Sequence, residues 1–198
     1  YLWLNDDVVL LAGALLTLTK VAEQSYSAGV ADALVVGSCA DPRTGQPTYG
    51  GRVRSNRREN RIVPPEDVPV RCDTMNGNIV LVTRLAFREL GGLSTAFTHA
   101  FGDLDYGNRA SKRGVPIIIA PGYLGHCEAN DMRSSWEDAA TPLRERWNRM
   151  CSPLGCPPGD WYVYVRRHTG LWWPLYVVLP FIRVLFPRRR RSRKRHRL

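Results

Sequence analysis

Apolar residues open the chain as a short run, Tyr1 to Leu4, and the polar triplet Asn5-Asp6-Asp7 ends it. The run reads as the last part of a buried strand. From Val8 to about Ser27 the apolar positions Val9, Leu10, Ala14, Leu15, Leu18, Val21 and Ala22 recur at helical spacing, with Gly29 as the expected stop. Residues 33–38 (ALVVGS) predict a second buried strand, followed by turn formers with bends at Asp41-Pro42 and Gly50-Gly51. Arg52 to Pro69 is charged and irregular and reads as a surface excursion. A third strand is expected at 78–83 (NIVLVT) after the polar turn Thr74-Met75-Asn76-Gly77, then a short helix from Arg84 to Leu90 closed by Gly91-Gly92. A second acidic cluster, Asp103-Leu104-Asp105, opens a helix to about Arg113 with Gly114 as its stop, and residues 115–120 (VPIIIA) form the next strand, closed by Pro121-Gly122. This alternation predicts an α/β fold with a largely parallel sheet.

Past residue 130 the pattern changes. Residues 142–150 (PLRERWNRM) predict a short basic amphipathic helix, SPLGCPPG a punctuated linker, and Pro158 to His168 a further helix. Residues 171–186 (LWWPLYVVLPFIRVLF) are strongly apolar and aromatic, and an arginine run follows. The expected organisation is an α/β domain over 1–150, a helical membrane-associating segment over 151–187 and a basic tail over 188–198.

Charge changes the picture only once it is located. The formal net charge of +10 points to nucleic acid, but residues 188–198 hold eight of the 28 Lys and Arg residues and no acid. The remainder carries 20 bases against 18 acids and is nearly neutral, without basic residues interleaved with aromatics, so no nucleic-acid partner is expected. Five scattered cysteines (Cys39, Cys72, Cys127, Cys151, Cys156), with no C-x-x-C pair, argue against a zinc ribbon or a disulfide framework and fit a reducing compartment. No signal peptide is visible, and Tyr1 opens inside a strand without an initiator Met, so the chain is expected to lack its beginning.

Both acidic clusters stand where a strand stops and a helix is expected, along the rim where open α/β sheets bind ligands. Each has a plain reading: Asn5-Asp6-Asp7 as a helix N-cap with first-turn acids, Asp103 as a cap, and Asp105 as the ion-pair partner of Arg109 one turn later. Carboxylates at such a rim can also hold a divalent cation or accept a proton. Asn76, Gly77 and Asn78 read either as a turn needing positive φ at Gly77, or as a place of close approach with a hydrogen bond to a sugar from Asn76. Trp136 and Trp147 could stack on a sugar, with packing as the default.

The order of apolar strand with NDD, TMNGN before a strand and Arg84, GDLDYGNRA, and a strand running into PGYLGH resembles the C-terminal two-thirds of family 2 glycosyltransferases of the GT-A fold, over about residues 1–130. The resemblance implies a mixed Rossmann-like sheet followed by a C-terminal amphipathic helical segment; the family's first βαβ unit, which grips the nucleotide base, is expected to precede Tyr1, so that this chain is expected to be a fragment of the active enzyme. It implies Mg²⁺ or Mn²⁺ held by Asp7 with Asp6 or Asn5, and Asp103 as catalytic base. It further implies that Asp105 orients the acceptor or the helix start, and that Asn76, Gly77, Asn78 and Arg109 line the substrate site. Glycine (Gly102) stands where the family commonly has an acid before the base. The family's later His ligand corresponds by spacing to His126, with Cys127 as near. The implied reaction is inverting transfer from a nucleotide-diphospho-sugar donor to a lipid-linked or polysaccharide acceptor in cell-envelope glycan synthesis. The alternatives are a non-catalytic membrane-associated scaffold keeping the same fold and, ranked below it, nucleic-acid binding through the basic tail.

The segment 171–186 is shorter than the roughly 20 apolar residues a spanning helix needs and is interrupted by Pro174, Pro180 and Arg183. With Trp172, Trp173 and Tyr176 ahead of the arginine run, it predicts a monotopic anchor on an anionic membrane surface, on the cytoplasmic face. A helix packed on the catalytic domain is the other reading.

Overall fold

The computed structural model describes residues 1–30, 32–54, 60–129 and 136–187. The arginine run 188–198 and part of the 52–69 excursion lie outside the described residues. The chain divides into two compact units, one from Tyr1–Ser94 with Gly102–Ala129, the other from Thr95–Phe101 with the described chain after Ala129.

The first unit contains β1 (Leu2–Leu4), β2 (Val9–Leu10), α1 (Ala14–Ser27), β3 (Leu34–Ala40), β4 (Pro47–Tyr49), β5 (Gly51–Arg54), β6 (Asn60–Ile62), β7 (Val70–Cys72), β8 (Thr74–Met75), β9 (Ile79–Val82), α2 (Arg84–Leu90), α3 (Gly102–Lys112) and β10 (Ile117–His126). The main sheet runs β1-β9-β3-β10-β2, with β4 beside β3 and β7 beside β10; β6-β5-β8 form a second, smaller sheet. Period-two alternation explains the layers. On β3, Val35 faces α1 residues Ala14, Leu18 and Val21, while Leu34 and Val36 face α2 and α3 through Ala86, Leu90, Tyr106 and Ala110. Both faces of β3 are covered, so all seven of its residues are buried and its sequence reads as a continuous apolar run. Leu18, fully buried, contributes about 1.5–3 kcal/mol by that burial.

The class is mixed α/β with a mixed sheet. The sheet is not largely parallel: among the described strands only β3 and β10 run parallel, and β1, β2, β4, β7 and β9 each pair antiparallel with their neighbours. A parallel neighbour needs a crossover carrying a helix, and α2 with α3 ahead of β10 supplies it. The β4–β8 excursion carries no helix, and β9 comes in after it running the other way.

Two further expectations change. Val9 and Leu10 do not begin α1; they pair with His126 and Gly125 of β10, and the helix starts at Ala14. The charged stretch after Gly51 is not an irregular excursion at its start, because β5 lies between β6 and β8. Alternation in Arg52-Val53-Arg54 sends both arginines to one side, where polar partners accept them.

The second unit consists of α4 (Leu143–Cys151), α5 (Pro158–His168), a single 3₁₀ turn (Gly170–Trp172) and α6 (Trp173–Leu185). Trp136, Met150, Cys156 and Val184 form its core, with Phe101, Trp161 and Phe181 packed against them. The 152–159 segment is thus no loose linker. Cys156 is buried, its N–H donates to the Met150 carbonyl at 2.7 Å, and packing fixes it. Asp160 is buried too and accepts from the Thr98 and His99 amides at 3.1 and 3.3 Å. Trp136 belongs to this core; Trp147 is 44 % exposed and packs on Phe181. Among the described residues, no helix is long and apolar enough to cross a membrane.

Candidate active site

Both acidic clusters touch the turn Asn76-Gly77-Asn78, between β8 and β9, one through Asp103 and the other through the Asn5 backbone. Antiparallel pairing of β1 with β9 brings the start of the chain beside this turn, and the Asn5 amide donates to the Asn78 carbonyl at 3.1 Å. From the other side, α3 packs on β8 closely enough that a Cβ on Gly107 would lie 2.4 Å from Thr74 Oγ1. This packing puts Asp103, in the first turn of α3, against the same turn. Its Oδ2 accepts from Gly77 N at 3.2 Å and from Asn76 Nδ2 at 3.3 Å, while Oδ1 accepts from its neighbour's amide, Leu104 N, at 2.7 Å. Residues about a hundred positions apart therefore flank one three-residue turn.

Gly77 is required there by contact. It is not among the positive-φ residues, and a Cβ at this position would lie 2.2 Å from Cζ2 of Trp3. The turn reading based on positive φ is thereby corrected: the close approach is that of the Trp3 indole, which also meets Tyr106 edge-on at 6.1 Å. Trp3 was invisible as a site-shaping residue because its strand looked like plain core.

Asn5-Asp6-Asp7 forms an exposed turn between β1 and β2 and does not cap α1. The helix N-cap is Gly13, with no side-chain cap and no acid in the first turn. Asp7 reaches the far end of β10 instead. Its carboxylate accepts from the Cys127 thiol, and burial together with that neighbour pushes the thiol up to about 11. Asn78 Nδ2 approaches the same sulfur at 3.7 Å. His126 pairs in register with Val9, and its Nδ1 is buried without a hydrogen-bond partner.

Asp105 and Arg109 form the ion pair that their spacing predicts, with Arg109 Nε 2.9 Å from Asp105 Oδ2 and the carboxylate fully buried. Arg109 continues to the carbonyls of Leu90 and Gly92 at 2.7 and 3.0 Å, closing the end of α2. The pair braces the start of α3 from within. Buried charges of this kind are tolerated because each is paired and hydrogen-bonded.

Besides Trp3, two residues escaped the sequence reading. Arg52 donates from Nη1 to Asn76 Oδ1 at 2.9 Å, so an Arg52–Asn76–Asp103 chain orients the Asp103 carboxylate. Arg54 donates to Asn108 Oδ1 on α3 at 3.0 Å. The signal was present in the period-two spacing of Arg52 and Arg54, which is strand spacing.

Oxygen donors suit Mg²⁺ or Mn²⁺, and the exposed Asp6 and Asp7 carboxylates are of that type. Among the described residues no three His, Cys, Asp or Glu side chains are grouped so as to hold an ion alone. A divalent ion here would therefore share its shell with ligand phosphates and water, as Mg²⁺ commonly does. No protein-family model matches the chain, and a search of curated proteins finds no match.

Proposed function

We propose that the protein is a metal-dependent inverting glycosyltransferase of the family 2, GT-A type. It would move a sugar from a nucleotide-diphosphate donor to a hydroxyl of a lipid-linked or polysaccharide acceptor in cell-envelope glycan synthesis, at the cytoplasmic side. One observation carries this reading: Asp103 and the Asn5–Asp7 turn both bond to the Asn76-Gly77-Asn78 turn, the first at Gly77 N and the second through the Asn5 amide at the Asn78 carbonyl. A base and a phosphate-side acid group at one rim are what the displacement needs.

In this reaction the acceptor oxygen forms a bond to the anomeric carbon and gives its proton to Asp103. The bond from that carbon to the diphosphate breaks, and the nucleotide diphosphate leaves with the electron pair. Asp103 is suited to the base role because it is half-buried, fixed by Gly77 N and Asn76, and steered by Arg52 through Asn76. Asp7, Asp6 and Asn5 would hold the ion, with His126 Nδ1 as a further donor, and the ion would offset charge on the departing diphosphate. Asp105 and Arg109 keep α3 in place, and Asn78 fixes the Cys127 thiol beside Asp7.

The test is release of nucleotide diphosphate from a panel of nucleotide sugars, with and without Mg²⁺ or Mn²⁺ and an acceptor. Metal-dependent turnover that is lost in Asp103→Asn, with donor binding kept, is the expected outcome. Donor binding without turnover in the unaltered protein would assign it instead to the non-catalytic scaffold class. Turnover by Asp103→Asn at the original rate would remove the base assignment.

A further inference from the structure

Helix α6 is apolar on two opposite sides. Its inner side, with Pro180 and Val184 buried, meets the core of the second unit, and Trp161 Nε1 donates to the Tyr176 carbonyl at 2.9 Å. On the outer side Leu175, Val178, Ile182 and Leu185 follow one another at intervals of three, four and three residues, preceded four residues earlier by Leu171 of the 3₁₀ turn, and every one is exposed, Leu171 at 95 % and Leu175 at 59 %. An apolar stripe of this length facing water marks an interaction surface. With 13 residues the helix is about 20 Å long, against the roughly 30 Å of a hydrocarbon core.

We propose that this outer face lies flat on an anionic lipid bilayer, with the stripe at the acyl boundary and the following arginine run on the headgroup phosphates. Charge complementarity selects this occupant. The eleven residues 188–198 begin two positions after Phe186, itself 74 % exposed, and contain eight Lys or Arg and no acid. A bilayer surface takes apolar side chains and cations from adjoining segments at once, which a nucleic-acid backbone does not. A second copy on the same stripe would bring two such cationic runs together, against their repulsion. Trp172, 59 % exposed at the start of the helix, suits the headgroup layer. The proposal goes beyond sugar transfer and does not rest on it, since vesicle binding is measured without donor or acceptor.

The experiment is flotation of the full chain with vesicles of phosphatidylcholine alone or mixed with phosphatidylglycerol. Binding is expected to the anionic vesicles and to fall with salt. Each basic residue near such a surface changes partitioning about fivefold, so removing 188–198 lowers it about a hundredfold or more. Leu175→Ser with Ile182→Ser lowers it at least about tenfold, with an unchanged thermal melt because both side chains are exposed. The emission of Trp172, read as the difference from Trp172→Phe, shifts to the blue on anionic vesicles. Full binding by the double-serine variant would overturn the proposal, as would failure of the unaltered chain to float. Dimerisation abolished by the serines without vesicle binding, or RNA binding that requires Leu175 and Ile182, would do the same.

Discussion

Asp103 and Asp105 stand two residues apart at the start of α3, and the helix turns them to different surroundings. Asp105 points inward, fully buried, and is paired with Arg109, which also holds the last carbonyls of α2. Asp103 stays half-buried against the Asn76–Asn78 turn, held by the backbone amides of Gly77 and Leu104 and by the Asn76 side-chain amide. The comparison teaches that burial and partner assign the part a carboxylate plays. A buried, cation-paired acid is a brace whose removal strands a charge, whereas an accessible acid steered by neutral donors can take a proton from a ligand.

The largest expected effect separates the two most sharply. Asp103→Asn is expected to lower transfer about 10²- to 10⁴-fold while leaving the urea midpoint near its original value. Asp105→Ala is expected to do the reverse first, costing about 3 kcal/mol of stability in urea unfolding because Arg109 loses its buried counter-charge. A stable, inactive Asp105→Ala would break the comparison. Gly77→Ala should cost about 2 kcal/mol by pushing a methyl into the Trp3 ring, and Trp3→Leu in the same chain should recover part of it.

Arg52→Ala is expected to slow transfer about fivefold to tenfold by loosening Asn76 and hence Asp103. Its effect should vanish in an Asn76→Ala background if Arg52 acts through that amide. The smallest effect appears only at alkaline pH. Burial, joined by the neighbouring Cys127 and Asp7, pushes the Cys39 thiol from 9.0 to about 12, and burial likewise pushes Cys72 from 9.0 to about 12. The unfolded chain then releases these protons first, so stability is untouched below about pH 9 and falls between about 9 and 12. Cys39→Ala should flatten that slope, as followed by urea midpoints across the range.

Local order was legible where local rules act. Strands at Leu34 and Ile79, the helices at Arg84 and Pro158, Gly114 after α3 and the Asp105–Arg109 pair all follow from periodicity, stop signals and one-turn spacing. Strand direction was not legible, because it depends on how the chain returns, and the β4–β8 excursion carries no helical crossover. The start of α1 was misplaced because Val9 and Leu10 suit a helix or a strand equally, and pairing with β10 decided between them. At the site, the acids could be named from the sequence, but the partners of Arg52 and Trp3 could not, since those contacts cross wide gaps in the chain.

The amino-acid order alone determined which residues are acidic, where the apolar faces recur, and that the positive charge is gathered after Pro187. Only the folded chain decided that Asn5 and Asp103 bond to one turn, that Asp105 is a brace, and that α6 keeps an apolar face outward. The reason is physical: periodicity encodes contacts within a few residues, whereas burial and hydrogen-bond partners are set by surfaces that meet only after the sheet has closed.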